Sequence, residues 1–577
     1  MSVATNNLIL DIPVSSTHGL YTAYWQRLYG SSLGLAIAEF SAGADHLVIA
    51  VTEGAQSAQR LYDQIRFYSS RDQVVSIFPD WECLPYDQFS PHADIISQRL
   101  SVLQRMPDLK QGILVLPVSN LMQRLAPRAY IEARSFFVRT DDTIDLGALR
   151  RQLQNLSYHA VSQVLEHGEF CVRGGLIDIF PTGAKRPFRL DLFDDRIDTI
   201  RYFDPESQRS SETVDQIALL PARETPLDDD GIKRFRSSFR ASFAGDPNKY
   251  DLYRDVSNGL VPAGIEFYLP LFFEQTSTIF DYLPGQAVFV MPDTISDFIR
   301  NTSAEFHDRY ELVRADPARP VLSPDSLYLN EQQTMEALSE FSRIEVSAFG
   351  QDRDAANVST YTTRVVPEFQ IQPRSDTPYQ PFFDFLNGTR DRCLLVAESA
   401  GRREVLQQLL RDHGFTAVPC EDWQAFISNQ SVALGLTVYD LEEGIRLADP
   451  AVCVITESQL YGNKVLQRRR RSSAARDPES VIRSLSELKH NDPVVHEDHG
   501  VGRYRGLTVL DTGGIETEFL LIEYKDGDKL YIPILNLSVV GRYIGGNPET
   551  APLHKLGSEQ WLRAKQRARE KAYDVAA

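Results

Sequence analysis

The chain has 577 residues, of which 42% are hydrophobic and 24% charged, so it is long enough for several domains of about 100–200 residues each. Its formal net charge of −19 argues against a surface built to grip nucleic acid, and we expect contact with DNA to be indirect, through partners. The five cysteines are scattered without metal-site spacing, and no apolar run reaches the about 18 residues of a membrane span. We therefore expect a monomer in the reducing cytoplasm, away from the membrane.

The first segment, residues 1–133, is predicted to begin an α/β domain. Short apolar runs indicate buried strands at 47–51 and 113–116, and apolar side chains at helical spacing indicate a helix over 59–68. The turn after the first of these strands lacks the second glycine and the lysine of a phosphate-binding loop, and no Gly-Lys dipeptide occurs in the chain. We therefore expect no catalysis in this chain and no bound ATP, magnesium or other cofactor.

The segment 134–220 carries the strongest indication of a binding surface. Side-chain alternation in the predicted strand 188–193 puts Arg189 and Phe193 on the face opposite to the apolar core residues. Arginine and aromatic side chains contribute most of the binding energy in protein interfaces, so this pair is a candidate docking site. Arg173 precedes two glycines that permit a β-bulge, which would redirect its side chain. The alternative is that Phe193 packs on a neighbouring domain and that the arginines are solvated.

Four further segments carry weaker signals. Residues 221–355 combine aromatic-rich strands with helices, and a polar, proline-containing stretch near 366–380 is typical of a linker. A compact α/β unit is predicted at 372–462, where a strand-to-helix turn at 399–403 presents helix amides suited to an anion. The basic linker 463–486 is either a solvated segment or a contact for DNA or for an acidic partner.

The last predicted domain is a small all-β unit. Asp526-Gly527 between two apolar runs indicates a hairpin. In the strand that contains Thr508, Val509 and Leu510, both faces carry apolar side chains, so one face is expected to be uncovered and the strand edge to suit pairing with a partner. The alternative for Leu510 is a core position. Between residues 494 and 534, eight acidic residues outnumber four basic ones, which favours a protein partner over nucleic acid.

Several long motifs connect these segments with a known family. RGGLIDIFP at 173–181, followed by RLDLF at 189–193, resembles the domain with which UvrB, the damage-loading helicase of nucleotide excision repair, binds the damage-recognition ATPase UvrA. DWECLPYD at 80–87 and HGVGRY at 499–504 narrow the similarity to the transcription-repair coupling factors (Mfd), which share the UvrB-like module. The resemblance extends over nearly the whole chain.

The resemblance implies a fold and two partners. The expected fold is a multidomain α/β protein with a degenerate UvrB/RecA-like module, followed by a small C-terminal all-β Tudor-like barrel of the kind found in CarD-type regulators. The resemblance implies UvrA binding by Arg173, Arg189 and Phe193. It also implies binding of the RNA polymerase β subunit by Leu510, with Thr508 and Val509 beside it. In the full-length family ATP and magnesium serve a DNA translocase, and we expect that motor to lie beyond this chain.

The resemblance also gives names to the predicted segments. By this resemblance, residues 1–133 are the first part of the UvrB-like module, 134–220 the UvrA-binding domain and 221–355 the second part of the module. Residues 372–462 are an α/β domain of unknown role, and 463–486 are a basic linker. Residues 487–556 are the RNA polymerase interaction domain, and 557–577 are the start of a helical linker to the motor. The predicted function is an adaptor in transcription-coupled repair that docks stalled RNA polymerase and recruits UvrA. One alternative is an ATP-dependent damage helicase of the UvrB type, which the missing phosphate-binding loop disfavours. The other is a CarD-type transcription regulator, which leaves the UvrA-type strand unexplained.

Overall fold

The computed structural model describes residues 10, 19–205, 207–316, 319–347, 357–367, 369, 378–461, 491–496, 499–511, 516–533, 540–542 and 553–555. The chain divides into two compact units, Met1–Phe369 with Phe383–Asn463, and Gln370–Phe382 with Lys464–Ala577. The predicted linker near 366–380 lies largely outside the described residues, and the predicted segments 463–486 and 557–577 lie wholly outside them.

The first part of the chain alternates strands and helices, as its apolar patterns predict. Its elements are β1 Thr22–Gln26, α1 Ser32–Gly43, β2 Leu47–Thr52, α2 Ala55–Tyr68, β3 Val75–Ile77, α3 Ala93–Arg105, β4 Gly112–Pro117, α4 Val118–Met122 and α5 Arg128–Ala133. The predicted strands 47–51 and 113–116 are β2 and β4, and every residue of both is buried. The predicted helix 59–68 is the larger part of α2, which buries Leu61, Ile65 and Tyr68 on one side.

An inserted domain follows, which we define as β5 to β12. Its elements are β5 Phe136–Arg139, α6 Leu146–Asn155, β6 His159–Ala160, β7 Glu169–Arg173, β8 Leu176–Ile179, β9 Phe188–Phe193, β10 Arg196–Phe203, β11 Ser210–Val214 and β12 Gln216–Leu219. Six strands form one sheet in the order β11-β10-β9-β8-β7-β6, and β12 pairs with β5 in a separate two-stranded sheet. Because consecutive strands from β7 to β11 are antiparallel neighbours, short turns suffice to connect most of them.

The chain then returns to the α/β pattern. Its elements are α7 Asp229–Ser242, α8 Asp251–Ser257, α9 Ile279–Tyr282, β13 Val288–Pro292, α10 Ile295–Val313, α11 Pro324–Leu327, α12 Glu331–Ser339, β14 Ser342–Ser347 and β15 Val358–Thr360. The aromatic-rich run Ile265–Phe272 is a 3₁₀-helix with seven buried residues. It therefore contributes to the core without joining a sheet.

Strands from both sides of the inserted domain complete one parallel sheet, which we call the parallel-sheet module. β2 pairs with β13, and the seven strands follow the order β15-β1-β14-β13-β2-β4-β3, each parallel to its neighbours. Alternate residues of β2 enter two different cores, with Leu47 and Ile49 on one face and Val48 and Ala50 on the other. A parallel sheet that is covered on both faces requires such continuous apolar strands.

A second α/β domain comes next in the chain. Its elements are β16 Thr363–Arg364, α13 Gln380–Gly388, β17 Arg392–Ala397, α14 Ala400–Asp412, β18 Val418–Pro419, α15 Trp423–Ser428, β19 Leu434–Val438, β20 Ile445–Leu447, β21 Val452–Thr456 and α16 Glu457–Tyr461. Its six strands follow the order β16-β20-β21-β17-β19-β18, with the central strands parallel.

The second α/β domain packs on the parallel-sheet module through aromatic side chains. The Trp423 ring is fully buried and meets the Tyr68 ring edge-on with their centroids 5.1 Å apart, and the Phe67 ring lies 6.2 Å away. At Gly30 the backbone is left-handed, with a φ of +59°, and an added Cβ would lie 2.3 Å from the carbonyl oxygen of Gly444. The two surfaces therefore approach too closely there for any side chain.

The second compact unit contains one antiparallel sheet. Its strands are β22 Pro493–His496, β23 Gly500–Asp511, β24 Glu516–Glu523, β25 Lys529–Pro533 and β26 Val540–Arg542, in the order β25-β24-β23-β22-β26. The predicted hairpin is confirmed, since a 3₁₀ turn over Lys525–Gly527 connects β24 to β25. The core of this sheet is built from Val494, Leu520 and Ile522, which are fully buried.

Candidate docking surfaces

The first candidate surface is the outer face of the inserted domain's six-stranded sheet. Phe188 and Leu190 of β9 are buried against Leu153 of α6 in the domain core. The opposite face of β9 carries Arg189 and Phe193, as the alternation predicts. The sequence therefore located both the strand and the face that turns away from the core.

Arg189 is held by an acidic partner on the neighbouring strand. Its Nε and Nη2 donate to the two carboxylate oxygens of Asp178 at 2.7 and 2.9 Å, and its Nη1 donates to the carbonyl oxygen of Gln208 at 3.1 Å. The hydrogen bonds to Asp178 raise the pKa of Arg189 above its usual value. The Arg189 side chain is 17% exposed and the Asp178 side chain 6%, so the pair is largely shielded from water. Arg189 thus braces the sheet and shows only part of its guanidinium to a partner.

Phe193 lies at the end of β9 and is the most exposed aromatic side chain of this sheet in the described residues, at 71%. The next residue, Asp194, has a φ of +57° and begins the turn to β10. Leu176 of β8, which is 38% exposed, pairs with Asp191 and therefore projects from the same face as Phe193. An apolar side chain left this open to water is suited to insertion into a partner's pocket.

Arg173 lies on the same face, one strand beyond Leu176. β7 and β8 pair without a register shift, with Arg173 opposite Leu176, so the two residues between them form a tight two-residue turn. The first of these, Gly174, has a φ of +57°, a backbone conformation that glycine adopts without strain. The predicted β-bulge is therefore wrong, because both glycines are used to reverse the chain. The Arg173 guanidinium donates to the carbonyl oxygen of Ser162.

The structure thus brings the three predicted residues onto one face without placing them in contact. Arg189 and Phe193 are four residues apart on β9, about 13 Å at the rise of an extended strand. Asp178 was not predicted as part of this site, although it stood out as a lone carboxylate in the apolar strand Leu176–Ile179. A charged residue in the middle of a buried strand signals a partner of opposite charge, and that signal identifies Asp178.

The second candidate surface is β23 of the antiparallel sheet. β22 pairs with residues 500–503 along one edge of β23. β24 pairs along the other edge of β23, from Arg503 to Asp511. Along 507–511, the edge that faces away from β24 has no strand partner within the described residues. Thr508 pairs with Phe519 and Leu510 with Thr517. The side chains of Val509 and Leu510 lie outside the described residues, so the predicted exposure of Leu510 stays a prediction.

The suggested anion position at residues 399–403 is filled by the protein itself. Glu457, whose side chain is 3% exposed, accepts a hydrogen bond from the Glu398 amide at 3.0 Å and pairs with the Arg402 guanidinium. Ser399 caps helix α14 by accepting from the Arg402 amide at 3.3 Å. An internal carboxylate therefore supplies the negative charge that this strand-to-helix turn favours.

The turn after β2 also satisfies its own polar groups. Gly54 is the N-cap residue of helix α2. Its amide donates to the Ser57 hydroxyl at 3.2 Å, and that hydroxyl donates back to the Gly54 carbonyl at 3.0 Å. In the described part of the chain, no cluster of three or more His, Cys, Asp or Glu side chains could hold a metal ion. None of the described helices is both long and apolar enough to cross a membrane.

Comparisons with known protein families match three stretches of the chain. The models are those of the UvrB interaction domain over residues 136–224, the MFD D3 domain over residues 385–460 and the CarD-like/TRCF RID domain over residues 488–544. The first stretch contains the inserted domain, the second contains most of the second α/β domain and the third contains the five-stranded sheet. The chain therefore combines a UvrB-interaction fold with a CarD-like fold in one protein.

Whole-chain comparisons give the same relationship. The chain is 42% identical to a transcription-repair-coupling factor of Haemophilus influenzae over 94% of its own length and 47% of the relative. It is 38% identical to the factor of Escherichia coli, over 96% of this chain and 48% of the relative. It is 25% identical to the factor of Bacillus subtilis, over 97% of this chain and 49% of the relative. The chain thus spans about half the length of the curated relatives it matches.

The predicted family relationship is confirmed by these matches. The chain is similar to the N-terminal half of the transcription-repair coupling factors, with a UvrB interaction domain, a D3 domain and a RID domain in that order.

Proposed function

We propose that this chain is the adaptor region of a transcription-coupled repair factor, which docks RNA polymerase through its RID domain and UvrA through its UvrB interaction domain. The observation that carries the proposal is the exposed Phe193, presented on a strand that the Asp178–Arg189 pair braces on the same face of the sheet. The matches to both domain families and to the coupling factors support the choice of partners.

UvrA docking would use Phe193 as the apolar anchor and the arginines as orienting groups. Desolvated aromatic anchors contribute most of the free energy at protein interfaces, whereas partly paired charges mainly fix orientation. Arg173 donates to a backbone carbonyl and Arg189 to a carboxylate, so each guanidinium has a fixed direction before a partner arrives. Pre-orientation of this kind lowers the entropic cost of binding.

The test is UvrA binding by Phe193→Ala, measured by calorimetry against the unaltered chain. We expect affinity to fall about 30-fold, the equivalent of about 2 kcal/mol for a central anchor. The chain offers a matched control in Phe137, which is 54% exposed and lies on the separate two-stranded sheet of the same domain. Phe137→Ala should leave binding unchanged. Equal losses for both variants, or no loss for Phe193→Ala, would refute the site.

For the polymerase, the proposal is that the RID sheet forms a Tudor-like barrel whose uncovered β23 edge pairs with the β subunit near Thr508, Val509 and Leu510. Along 507–511 this edge has no strand partner among the described residues, which supports strand addition, because extended edges recruit a partner through backbone hydrogen bonds. Leu510→Arg should weaken polymerase binding at least tenfold while UvrA binding stays unchanged. Tyr531→Arg, at an exposed position of β25, is the control.

We further propose that the parallel-sheet module is a degenerate RecA-like scaffold and that the chain acts as a monomer without bound ATP or magnesium. The translocase activity of the family would then belong to a separate motor. The turn at Gly54 and the missing Gly-Lys dipeptide support this proposal. Measurable ATP hydrolysis by this chain in the presence of DNA would favour the UvrB-type helicase instead.

A further inference from the structure

Helix α7 presents a basic stripe to solvent on the parallel-sheet module. Its inner side is anchored by two fully buried phenylalanines, Phe235 and Phe239. Residues at helical spacing on the outer side are all exposed, and we name them the α7 stripe: Lys233, Arg236, Ser237 and Arg240. The three cations of the stripe lie within the eight residues 233–240, about 10 Å along the helix axis.

Two arginines of the α7 stripe converge on one neutral group. Arg240 donates to the Tyr253 phenol oxygen from Nη2 at 2.7 Å and from Nε at 3.0 Å, and Arg236 donates from Nε at 3.4 Å. Neither arginine forms an ion pair with a carboxylate among the described residues, whereas the adjacent Arg234 pairs with Glu274 at 2.8 Å. The exposed Asp229 and Asp230 of the first helical turn lie beside the stripe, so its three cations keep only a small local excess of positive charge.

The phenol responds to that excess. Burial of the Tyr253 ring raises the pKa of the phenol, but the hydrogen bonds and charges of Arg236 and Arg240 outweigh burial, and the pKa ends below the usual value for tyrosine. A hydroxyl oxygen has two lone pairs, so three N–H donors exceed its capacity as an acceptor. The other N–H groups of the two guanidiniums have no acceptor among the described residues, and both side chains are exposed to solvent.

We propose that the α7 stripe binds the phosphate backbone of double-stranded DNA without reading its sequence. Guanidiniums, a lysine and a serine hydroxyl are the groups that contact phosphates in protein–DNA complexes. Protein interfaces have apolar or aromatic centres, whereas the two phenylalanines of α7, Phe235 and Phe239, and the Tyr253 ring that the stripe contacts are buried. Single strands are held by exposed stacking aromatics, which the stripe lacks, and the duplex offers the higher density of phosphates.

The proposal goes beyond adaptor docking and revises the expectation that contact with DNA is only indirect. The net charge of −19 describes the chain as a whole, whereas phosphate contacts depend on charges within about 10 Å at ordinary ionic strength. The remaining negative charge keeps the contact weak. A weak, sequence-independent contact would hold the adaptor beside DNA without fixing its position along the duplex.

The test is the salt dependence of binding to a fluorescein-labelled 20-base-pair duplex, measured by anisotropy with the full chain. The three cations of the stripe predict a slope of about −2.7 in log affinity against log salt, and hence an about 40-fold loss between 50 and 200 mM. Arg236→Gln with Arg240→Gln should bring the slope to about −0.9 and the loss to about 3.5-fold. The readout is the difference in slope between variants, so a constant contribution from the basic linker 463–486 cancels.

The control is a double variant with the same change in net charge, Arg300→Gln with Arg314→Gln. Arg300 pairs with Asp297 at 3.0 Å, and Arg314 pairs with Glu311 at 2.7 Å, so neither should bind phosphate. If both double variants reduce the slope equally, the effect is one of net charge and the proposal is wrong. It is also wrong if the stripe variant keeps the duplex slope but loses binding to polyglutamate, which would identify an acidic protein as the partner. Unchanged melting curves of both double variants, measured by circular dichroism, would show that a loss of binding is not a loss of folding. Lys233→Gln alone should make the slope less negative by about 0.9.

Discussion

Replacing Asp178 by asparagine should loosen strand β9, which carries Phe193, without changing its shape. Both carboxylate oxygens accept hydrogen bonds from Arg189, and the pair is largely buried. Asparagine keeps one acceptor oxygen but brings an NH₂ group against a guanidinium donor and removes the charge. A hydrogen bond to a charged group contributes about 1.5–3 kcal/mol, and the residual exposure of Arg189 keeps the loss below the 3–5 kcal/mol of a fully buried pair. We therefore expect β8 and β9 to lose about 2–3 kcal/mol of local opening free energy.

Hydrogen exchange followed by mass spectrometry measures this loss directly in peptides that cover β8 and β9. A loss of 2–3 kcal/mol corresponds to exchange about 30–150 times faster. Asp191→Asn is the matched control, because Asp191 lies on the same face of β9, accepts from the Thr199 hydroxyl at 2.9 Å and lies 4.0 Å from the Arg201 guanidinium. That carboxylate is 33% exposed, so its loss should cost less than about 1 kcal/mol.

The same variants distinguish two roles for Arg189. If Arg189 acts by bracing the strand that carries Phe193, Asp178→Asn and Arg189→Gln should weaken UvrA binding to similar extents. If Arg189 instead contacts UvrA directly, Asp178→Asn releases its guanidinium and binding should persist. Equal exchange rates in Asp178→Asn and Asp191→Asn would refute the bracing argument altogether.

Two further predictions concern the stability of the fold. Gly30→Ala should lower the unfolding free energy by at least about 2 kcal/mol in urea titrations, because the added Cβ would meet the Gly444 carbonyl and the φ of Gly30 is positive. The control is Gly401→Ala in α14, where the added Cβ has open space. This variant should raise the unfolding free energy by about 0.5–1 kcal/mol. Burial raises the pKa of Glu266 despite the Ser90 hydrogen bond, so the wild-type fold is favoured below about pH 4 and loses stability as pH rises through the folded pKa. The unfolding free energy of Glu266→Gln relative to wild type should therefore increase from pH 4 to pH 7, and a constant difference would contradict the assignment.

The sequence predicted features that depend on local patterns and missed those that depend on register or long-range packing. Alternation along β9 suffices to place Phe193 outside the core, because successive side chains of a strand point to opposite faces. The partner of Arg189 depends on how β8 aligns with β9, and no single-strand pattern encodes that alignment. The sequence also could not predict how the second α/β domain packs on the parallel-sheet module. That packing joins residues far apart in the chain, since the Gln424 side chain donates to the Tyr68 carbonyl across 356 residues of sequence.

The inserted domain is joined to the parallel-sheet module by buried charge, and this determines what docking can transmit. Arg99 of α3 is fully buried and donates to Glu224 at 2.6 Å, to the Pro79 carbonyl at 2.8 Å and to Gln123 at 2.7 Å. Glu224 lies where the chain leaves the inserted domain, and breaking a buried pair of this kind costs about 3–5 kcal/mol. A flexible tether would let a partner at Phe193 move independently of the module. The buried Arg99–Glu224 pair instead keeps the outer face of the inserted domain at a fixed orientation to the parallel sheet. A partner bound to that face therefore takes a defined position relative to the parallel-sheet module.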